Sequence, residues 1–249
     1  MKVLMYIIAG IRALIVFTSM AGYMFTFAIS RLWTKPSARG AFFLRKFWLK
    51  TIGIPILNIR IQKEGEAWDK PAIYMGNHRS FADPMVVCRY IDAFVIAKAE
   101  VANYPIINKG AEMTGVIWVN RNDKNFRTQT RGKLVETWSS GHNILVFPEG
   151  TVGLESKTLP FKVGTFLEAA ANNIPIIPFA IEFKSKKDLW VIHKFIPQYF
   201  YQFSKWATFV KFSIGEPIYD TDGENLKLRT QKWIDDKLVE MQKNWSEIF

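Results

Sequence analysis

The segment Gly76-Asn77-His78-Arg79-Ser80-Phe81-Ala82-Asp83-Pro84 carries a histidine and a carboxylate five positions apart. On a continuous helix that spacing would splay the two side chains by roughly 140°, so they meet only if the residues between them turn. Where they do meet, an imidazole held in one tautomer by a carboxylate is a base suited to taking a proton from a hydroxyl near neutral pH. A second account needs no chemistry: Asp83 followed by Pro84 makes a natural helix N-cap with proline at the first helical position, and His78 is then an ordinary polar residue. The spacing alone leaves both accounts open.

Other reactive constellations are scarce. Cys88 is the single cysteine, which excludes an intrachain disulfide and a Cys-rich zinc site and fits a reducing, cytosol-facing compartment. His142 and His193 read as structural or surface residues, and the spacing of His78, Asp83 and His142 matches no common ligand pattern, so no metal and no cofactor is expected. The chain has no G-x-S-x-G nucleophile elbow.

The elements that must position the His-Asp segment are short apolar runs alternating with longer helical stretches. Leu57 to Gln62, Ala72 to Met75, Phe94 to Ala97, Val116 to Val119, Ile144 to Phe147 and Ile176 to Phe183 read as strands of a mixed, largely buried sheet. Helical periodicity is clearest over Phe126 to Ser140, Gly164 to Asn172 and Leu226 to Asn244. The alternation implies an α/β fold, with His78 on a strand-to-helix turn.

The net charge of +11 is concentrated at one end. Residues 1 to 63 hold ten basic side chains and no Asp or Glu, whereas the remainder carries 23 basic and 22 acidic residues. The excess charge therefore lies beside the most apolar stretch, a pattern that suits anionic membrane phospholipids rather than nucleic acid. Residues 3 to 30 are apolar apart from Arg12, and Ala13 to Ser30 would extend roughly 27 Å as a helix, a borderline span. Ala41 to Leu57 mixes Phe42, Phe43, Phe47 and Trp48 with Arg45, Lys46 and Lys50, as an interfacial amphipathic helix does. A two-helix hairpin in the cytoplasmic leaflet accounts for both. A single span with the remainder on the cytoplasmic side, a signal peptide, and two helices packed on the core are the other readings. The expected division is an anchor over 1–63 and a catalytic domain over 64–249.

The His78 to Asp83 segment resembles the H-x4-D motif of the glycerolipid acyltransferases, and further blocks follow in that family's order. Gly115-Val116-Ile117-Trp118-Val119-Asn120-Arg121 is similar to the second block, Phe147-Pro148-Glu149-Gly150-Thr151 to the third and Ile174-Pro175-Ile176-Ile177-Pro178 to the fourth; Lys98-Ala99-Glu100 and Phe161-Lys162-Val163-Gly164 also look like the family's. The likeness covers about residues 64 to 183, and within the family it is closest to the branch that acylates 1-acyl-glycerol 3-phosphate.

The resemblance implies a glycerol-3-phosphate acyltransferase-like fold and transfer of an acyl group from acyl carrier protein or coenzyme A to the sn-2 hydroxyl of lysophosphatidic acid, making phosphatidic acid. It implies His78 as general base and Asp83 as the group that orients it, with direct attack and no acyl-enzyme. Arg121 would hold the acceptor phosphate through paired hydrogen bonds, with Lys98 and Lys162 as further phosphate contacts. Glu149 would accept hydrogen bonds from the glycerol portion or hold its loop, beside Gly150 and Thr151. The family's third block usually continues with arginine where this chain has Val152, which leaves the phosphate to Arg121, Lys98 and Lys162. Acylation of glycerol 3-phosphate or another lysophospholipid, and a non-catalytic lipid-binding module, are the competing readings.

Overall fold

Strand Ile176–Phe183 (β6) is buried along its whole length, including Glu182, as strands covered on both faces are. It sits third in a seven-stranded sheet of order β1-β7-β6-β2-β5-β3-β4. The other strands are Ile59–Glu64 (β1), Ile73–Gly76 (β2), Ala93–Lys98 (β3), Val116–Val119 (β4), Asn143–Val146 (β5) and Thr208–Ile214 (β7). The computed structural model describes residues 2–30, 32–33, 35, 37–98, 115–119 and 124–245, with the side chains of 98, 119 and 124–131 also left aside. All pairings are parallel except β6 with β7. Strands β1 and β7 therefore run opposite to the other five, and their N-terminal ends lie beside the C-terminal end of β6, whereas β2 stops level with the C-terminal end of β7.

Alternate strand residues serve opposite faces. Ile73, Met75, Ile144, Val146 and Ile176 pack with Phe166 of Gly164–Ala171 (α5) and with Leu226, Ile234 and Leu238 of Gly223–Gln242 (α7). Tyr74, Leu145, Ile177 and Phe179 face the other way, toward Val86 and Val87 of Asp83–Cys88 (α3), Phe203 of Phe195–Phe203 (α6), and the N-terminal helices. Helix Lys124–Ser139 (α4) precedes β5. Helix α7 begins three residues before the apolar pattern does, because the Asp222 carboxylate accepts the Glu224 and Asn225 N–H groups as an N-cap.

Helix Lys2–Ser30 (α1) is long and apolar enough to cross a membrane, by length and composition. Helix Ala38–Trp48 (α2) continues through a π-helical turn, Leu49–Gly53, and a last turn, Ile54–Ile56. Both helices pack one face on the domain: Ala9, Val16, Leu49 and Ile54 belong to the core on the α6 side of the sheet. Trp48 Nε1 donates to Ser19 Oγ at 3.1 Å, joining the two. The one charge within the apolar run is used for docking. Arg12 donates to the carbonyls of Phe203 (3.3 Å), Lys205 (2.7 Å) and Trp206 (2.8 Å), closing the C-terminal end of α6, and Tyr199 Oη donates to the Ala9 carbonyl.

Strand β7 and helix α6 are absent from the sequence expectation. In α6, Pro197 falls in the first turn, where it is tolerated, and the buried stripe includes Gln198 and Gln202, so its apolar period is obscured. The expected division at residues 63 and 64 falls inside β1, which pairs with β7 over its full length.

Arg12→Ala leaves three carbonyls without their cationic partner. A loss of about 2 kcal/mol is expected, the scale for hydrogen bonds to a charged group, read as a lower urea midpoint in detergent solution.

Candidate active site

Beyond β2 the chain must leave the sheet closely. A side chain at Gly76 would meet the Phe179 ring at 2.2 Å. Asn77 then straps the turn to β6, donating from Nδ2 to the Ile181 carbonyl at 2.8 Å and accepting the Ile181 N–H at 2.9 Å. These contacts aim residues 78 to 82 over the C-terminal end of the sheet.

The turn closes on Asp83. Its carboxylate is fully buried, and Oδ2 accepts the backbone N–H groups of Arg79 (2.6 Å) and Ser80 (2.8 Å) while lying 2.6 Å from His78 Nδ1. An oxygen already receiving two N–H groups acts as an acceptor, so Nδ1 donates to it and Nε2 is the ring nitrogen left on the side away from Asp83. Asp83 is the first residue of α3, after an Ala82 cap that makes no side-chain hydrogen bond. The expected N-cap is thus corrected: the carboxylate turns back to the preceding loop because two backbone donors and an imidazole compete for it there.

His78 is also held by its main chain. Its N–H donates to Glu149 Oε1 (2.8 Å), and its carbonyl accepts the Gly153 N–H (2.7 Å). Glu149 Oε2 accepts the Leu159 N–H at 2.8 Å, and the residue is buried. Of its two expected roles, Glu149 therefore shows the loop-holding one. Burial pushes its carboxyl above the usual range, opposed first by the two N–H donors and then by Arg79. The imidazole stacks on Phe147, with centroids 4.4 Å apart, and meets the edge of Trp190.

Arg79, not singled out in the sequence, is the largest fully buried side chain of the site. It donates to the carbonyls of Gly153, Glu155 and Ser156 and to Glu182 Oε2. Gln242, at the end of α7, donates to the same Ser156 carbonyl (2.7 Å) and the same Glu182 oxygen (2.9 Å). Burial raises the Glu182 carboxyl, with Arg79 the main opposing influence. An arginine inside a polar hexapeptide gives no sequence signal of such burial.

His78 opens on an apolar cavity of about 590 Å³, walled by α1 (Phe17, Met20, Tyr23), α2 (Trp48), α3 (Met85) and β4 (Trp118). Gly150, Thr151, Val152 and His193 also line it. Lys162 is exposed and is not part of this wall. His142 packs against Phe42 and Phe94. Arg121 and the Lys98 side chain lie outside the described residues.

The sequence profile of the Acyltransferase family matches residues 58–182. The chain belongs to the Acyltransferase family. The matched stretch runs from β1 to β6 and includes His78, Asp83 and Glu149. Among its relatives, a chloroplastic 1-acyl-sn-glycerol-3-phosphate acyltransferase of Brassica napus is 26% identical over 179 residues, 70% of this chain and 51% of that one. A Chlamydomonas reinhardtii protein of the same description is 32% identical over 114 residues, 45% of this chain and 34% of that one. A lyso-ornithine lipid O-acyltransferase of Pseudomonas aeruginosa is 26% identical over 141 residues, 57% and 54% of the two chains. This chain thus spans about half or less of the length of these relatives. The fold is that of the 1-acyl-sn-glycerophosphate acyltransferase PlsC from Thermotoga maritima, with a TM-score of 0.72 at 20% identity over 98% of this chain and 97% of that one.

Glu149→Gln would turn an amide NH2 toward a backbone N–H. Because the side chain positions His78, kcat is expected to fall by about 10- to 100-fold, the scale of a small misplacement, with acceptor KM nearly unchanged in steady-state acyl transfer. A raised KM at constant kcat would make Glu149 a substrate contact instead.

Proposed function

We propose that this acyltransferase moves a fatty acyl group from an acyl thioester, on acyl carrier protein or coenzyme A, to the sn-2 hydroxyl of lysophosphatidic acid, giving phosphatidic acid. The observation that carries the reading is the free Nε2 of His78, presented to an apolar cavity while Nδ1 is committed to Asp83. The Thermotoga likeness supports the fold, and the names of the plant and algal relatives support the acceptor.

In the reaction, His78 Nε2 takes the hydroxyl proton as the acceptor oxygen attacks the thioester carbonyl. The new C–O bond forms, the C–S bond breaks, and the departing thiolate takes the proton back from the imidazolium. The balance is one ester and one thiol from one alcohol and one thioester, with no acyl-enzyme. Asp83 supplies the negative charge that favours the imidazolium while it lasts. The cavity takes the acyl chain, whose burial is worth about 0.8 kcal/mol per methylene. Arg121 and Lys98 hold the acceptor phosphate, and Thr151 faces it from the cavity rim.

The anchor comprises α1 and α2, and the catalytic domain starts at β1. We read α1 as lying in the plane of the cytoplasmic leaflet. Arg12 and Ala9 tie its first half to α6, and Phe17, Met20 and Tyr23 of its second half face the cavity. A perpendicular span would withdraw that wall.

A second acceptor is favoured by a specific observation. Val152 lines the cavity where the family's third block usually has a cation, and some relatives are lyso-ornithine lipid acyltransferases, whose named acceptor is not a lysophosphatidic acid. The deciding assay offers purified protein lysophosphatidic acid, lyso-ornithine lipid, lysophosphatidylcholine and glycerol 3-phosphate, each with both thioester donors. The highest kcat/KM is expected with lysophosphatidic acid, and a preference for lyso-ornithine lipid would overturn that assignment. His78→Ala should lower turnover by roughly 100-fold or more, the scale of a general base, while vesicle binding persists. Arg121→Ala should raise the KM for lysophosphatidic acid with little change in kcat, and an unchanged KM would remove it from the phosphate site.

A further inference from the structure

Residues 184 to 211 hold six lysines and one acidic residue, Asp188. Asp188 is buried and already pairs with Lys205 at 2.5 Å. This local excess is hidden in a domain whose basic and acidic residues nearly cancel. The same stretch exposes Ile196 (66%), Trp206 (69%) and Phe209 (48%), an unusual set of large apolar side chains for a surface facing only water.

The topology gathers Lys184, Trp206 and Phe209 at one end of the sheet, beside Arg60. Because β1 and β7 run against the other strands, Arg60 and Phe209 are cross-strand partners at the end of the sheet where β6 finishes at Phe183, just before Lys184. The Lys184 N–H donates to the Phe209 carbonyl, and its ammonium lies 5.7 Å from the Phe209 ring centre. Arg60 Nε donates to Asn58 Oδ1, and Asn58 Nδ2 donates to the Trp206 carbonyl. Among the described residues neither Arg60 nor Lys184 is paired with a carboxylate. The carbonyl of Trp206 also receives Arg12, which makes this corner continuous with α1. On α1 itself, Val3, Leu4, Ile7, Ile11 and Leu14 are exposed.

We propose that the corner formed by the end of α6 and the start of β7 is a second bilayer-contact surface, through which the catalytic domain docks on anionic lipid headgroups beside α1. Exposed tryptophan and phenylalanine beside Arg60 and Lys184, neither of which meets a carboxylate among the described residues, is the composition of a membrane interface. The cations attract anionic lipid, and the rings enter the boundary between headgroup and acyl chain. Contact through both α1 and this adjoining corner would fix the tilt of the domain on the bilayer. The inference rests on the reading that α1 lies on a membrane, and it is independent of which lysolipid is acylated.

The test uses the full chain in a Cys88→Ala background, with an environment-sensitive fluorophore on Leu14→Cys (outer face of α1), Phe209→Cys (the corner) or Lys232→Cys (exposed face of α7). Vesicles are phosphatidylcholine alone or an equal mixture with phosphatidylglycerol. Labels at 14 and 209 are expected to shift to the blue on the mixed vesicles, with no shift at 232. A shift at 14 without one at 209 overturns the corner and spares the α1 reading; no shift at 14 overturns both. In the unlabelled chain, Lys184→Glu and Lys187→Glu should each weaken partitioning onto mixed vesicles by about fivefold, with little effect on neutral ones. Unchanged partitioning would overturn the headgroup contact.

Discussion

One carboxylate oxygen organises the centre of this protein. Burying an ionised carboxylate is costly unless donors surround it, and Asp83 Oδ2 receives two backbone N–H groups and the imidazole within 2.8 Å. The two backbone donors belong to the residues just after His78, so the same contact that neutralises the burial cost also forces the tight turn. That turn brings together residues that a helix would separate. It commits Nδ1 of His78 to Asp83 and leaves the imidazole on the wall of the cavity. The local fold and the orientation of the imidazole are therefore consequences of one constraint.

A second polar layer keeps that turn from moving as a unit. Glu149 and Gly153 grip the His78 main chain from the loop after β5, and Arg79 grips that loop from within the turn. Each segment is thus held by the other. Glu182 from the middle of the sheet and Gln242 from the end of α7 complete the set, so α7 reaches the loop that holds His78. Buried networks of this kind are rigid when fully satisfied and damaging when one member is lost. The precise seating of an imidazole is a reason to tolerate that sensitivity.

Much of this was legible in the sequence, in proportion to how local the signal was. All six expected strands start and end within two residues of their observed limits, and β4 and β6 agree at both ends, because buried apolar runs bounded by polar turns need no tertiary information to recognise. The juxtaposition of His78 and Asp83 was one of two readings that spacing allowed, and the packing of the turn selects it. Asp83 as an N-cap failed because a side chain with three better donors nearby does not turn toward its own helix. Glu149 could be read as a loop holder, but not the identity of the two N–H groups it accepts, which come from residues 71 positions before it and ten after it. Arg79 and Gln242 carried no signal at all, since their burial depends on contacts across the whole chain. Helix α6 was hidden by its own function, with polar Gln198 and Gln202 buried to bind a loop and a serine hydroxyl.

Arg12 illustrates how tertiary context reverses a reading made from composition. As a charge inside an apolar stretch it weakens the case for a membrane span. In the fold it meets the carbonyl end of α6, where a cation is favourable, and it leaves the outward face of α1 without charge from Val3 onward. The sequence interruption is what permits the helix to be apolar on one side and firmly docked on the other. Because α1 also walls the cavity, the helix that can contact lipid and the helix that completes the chamber beside His78 are the same element.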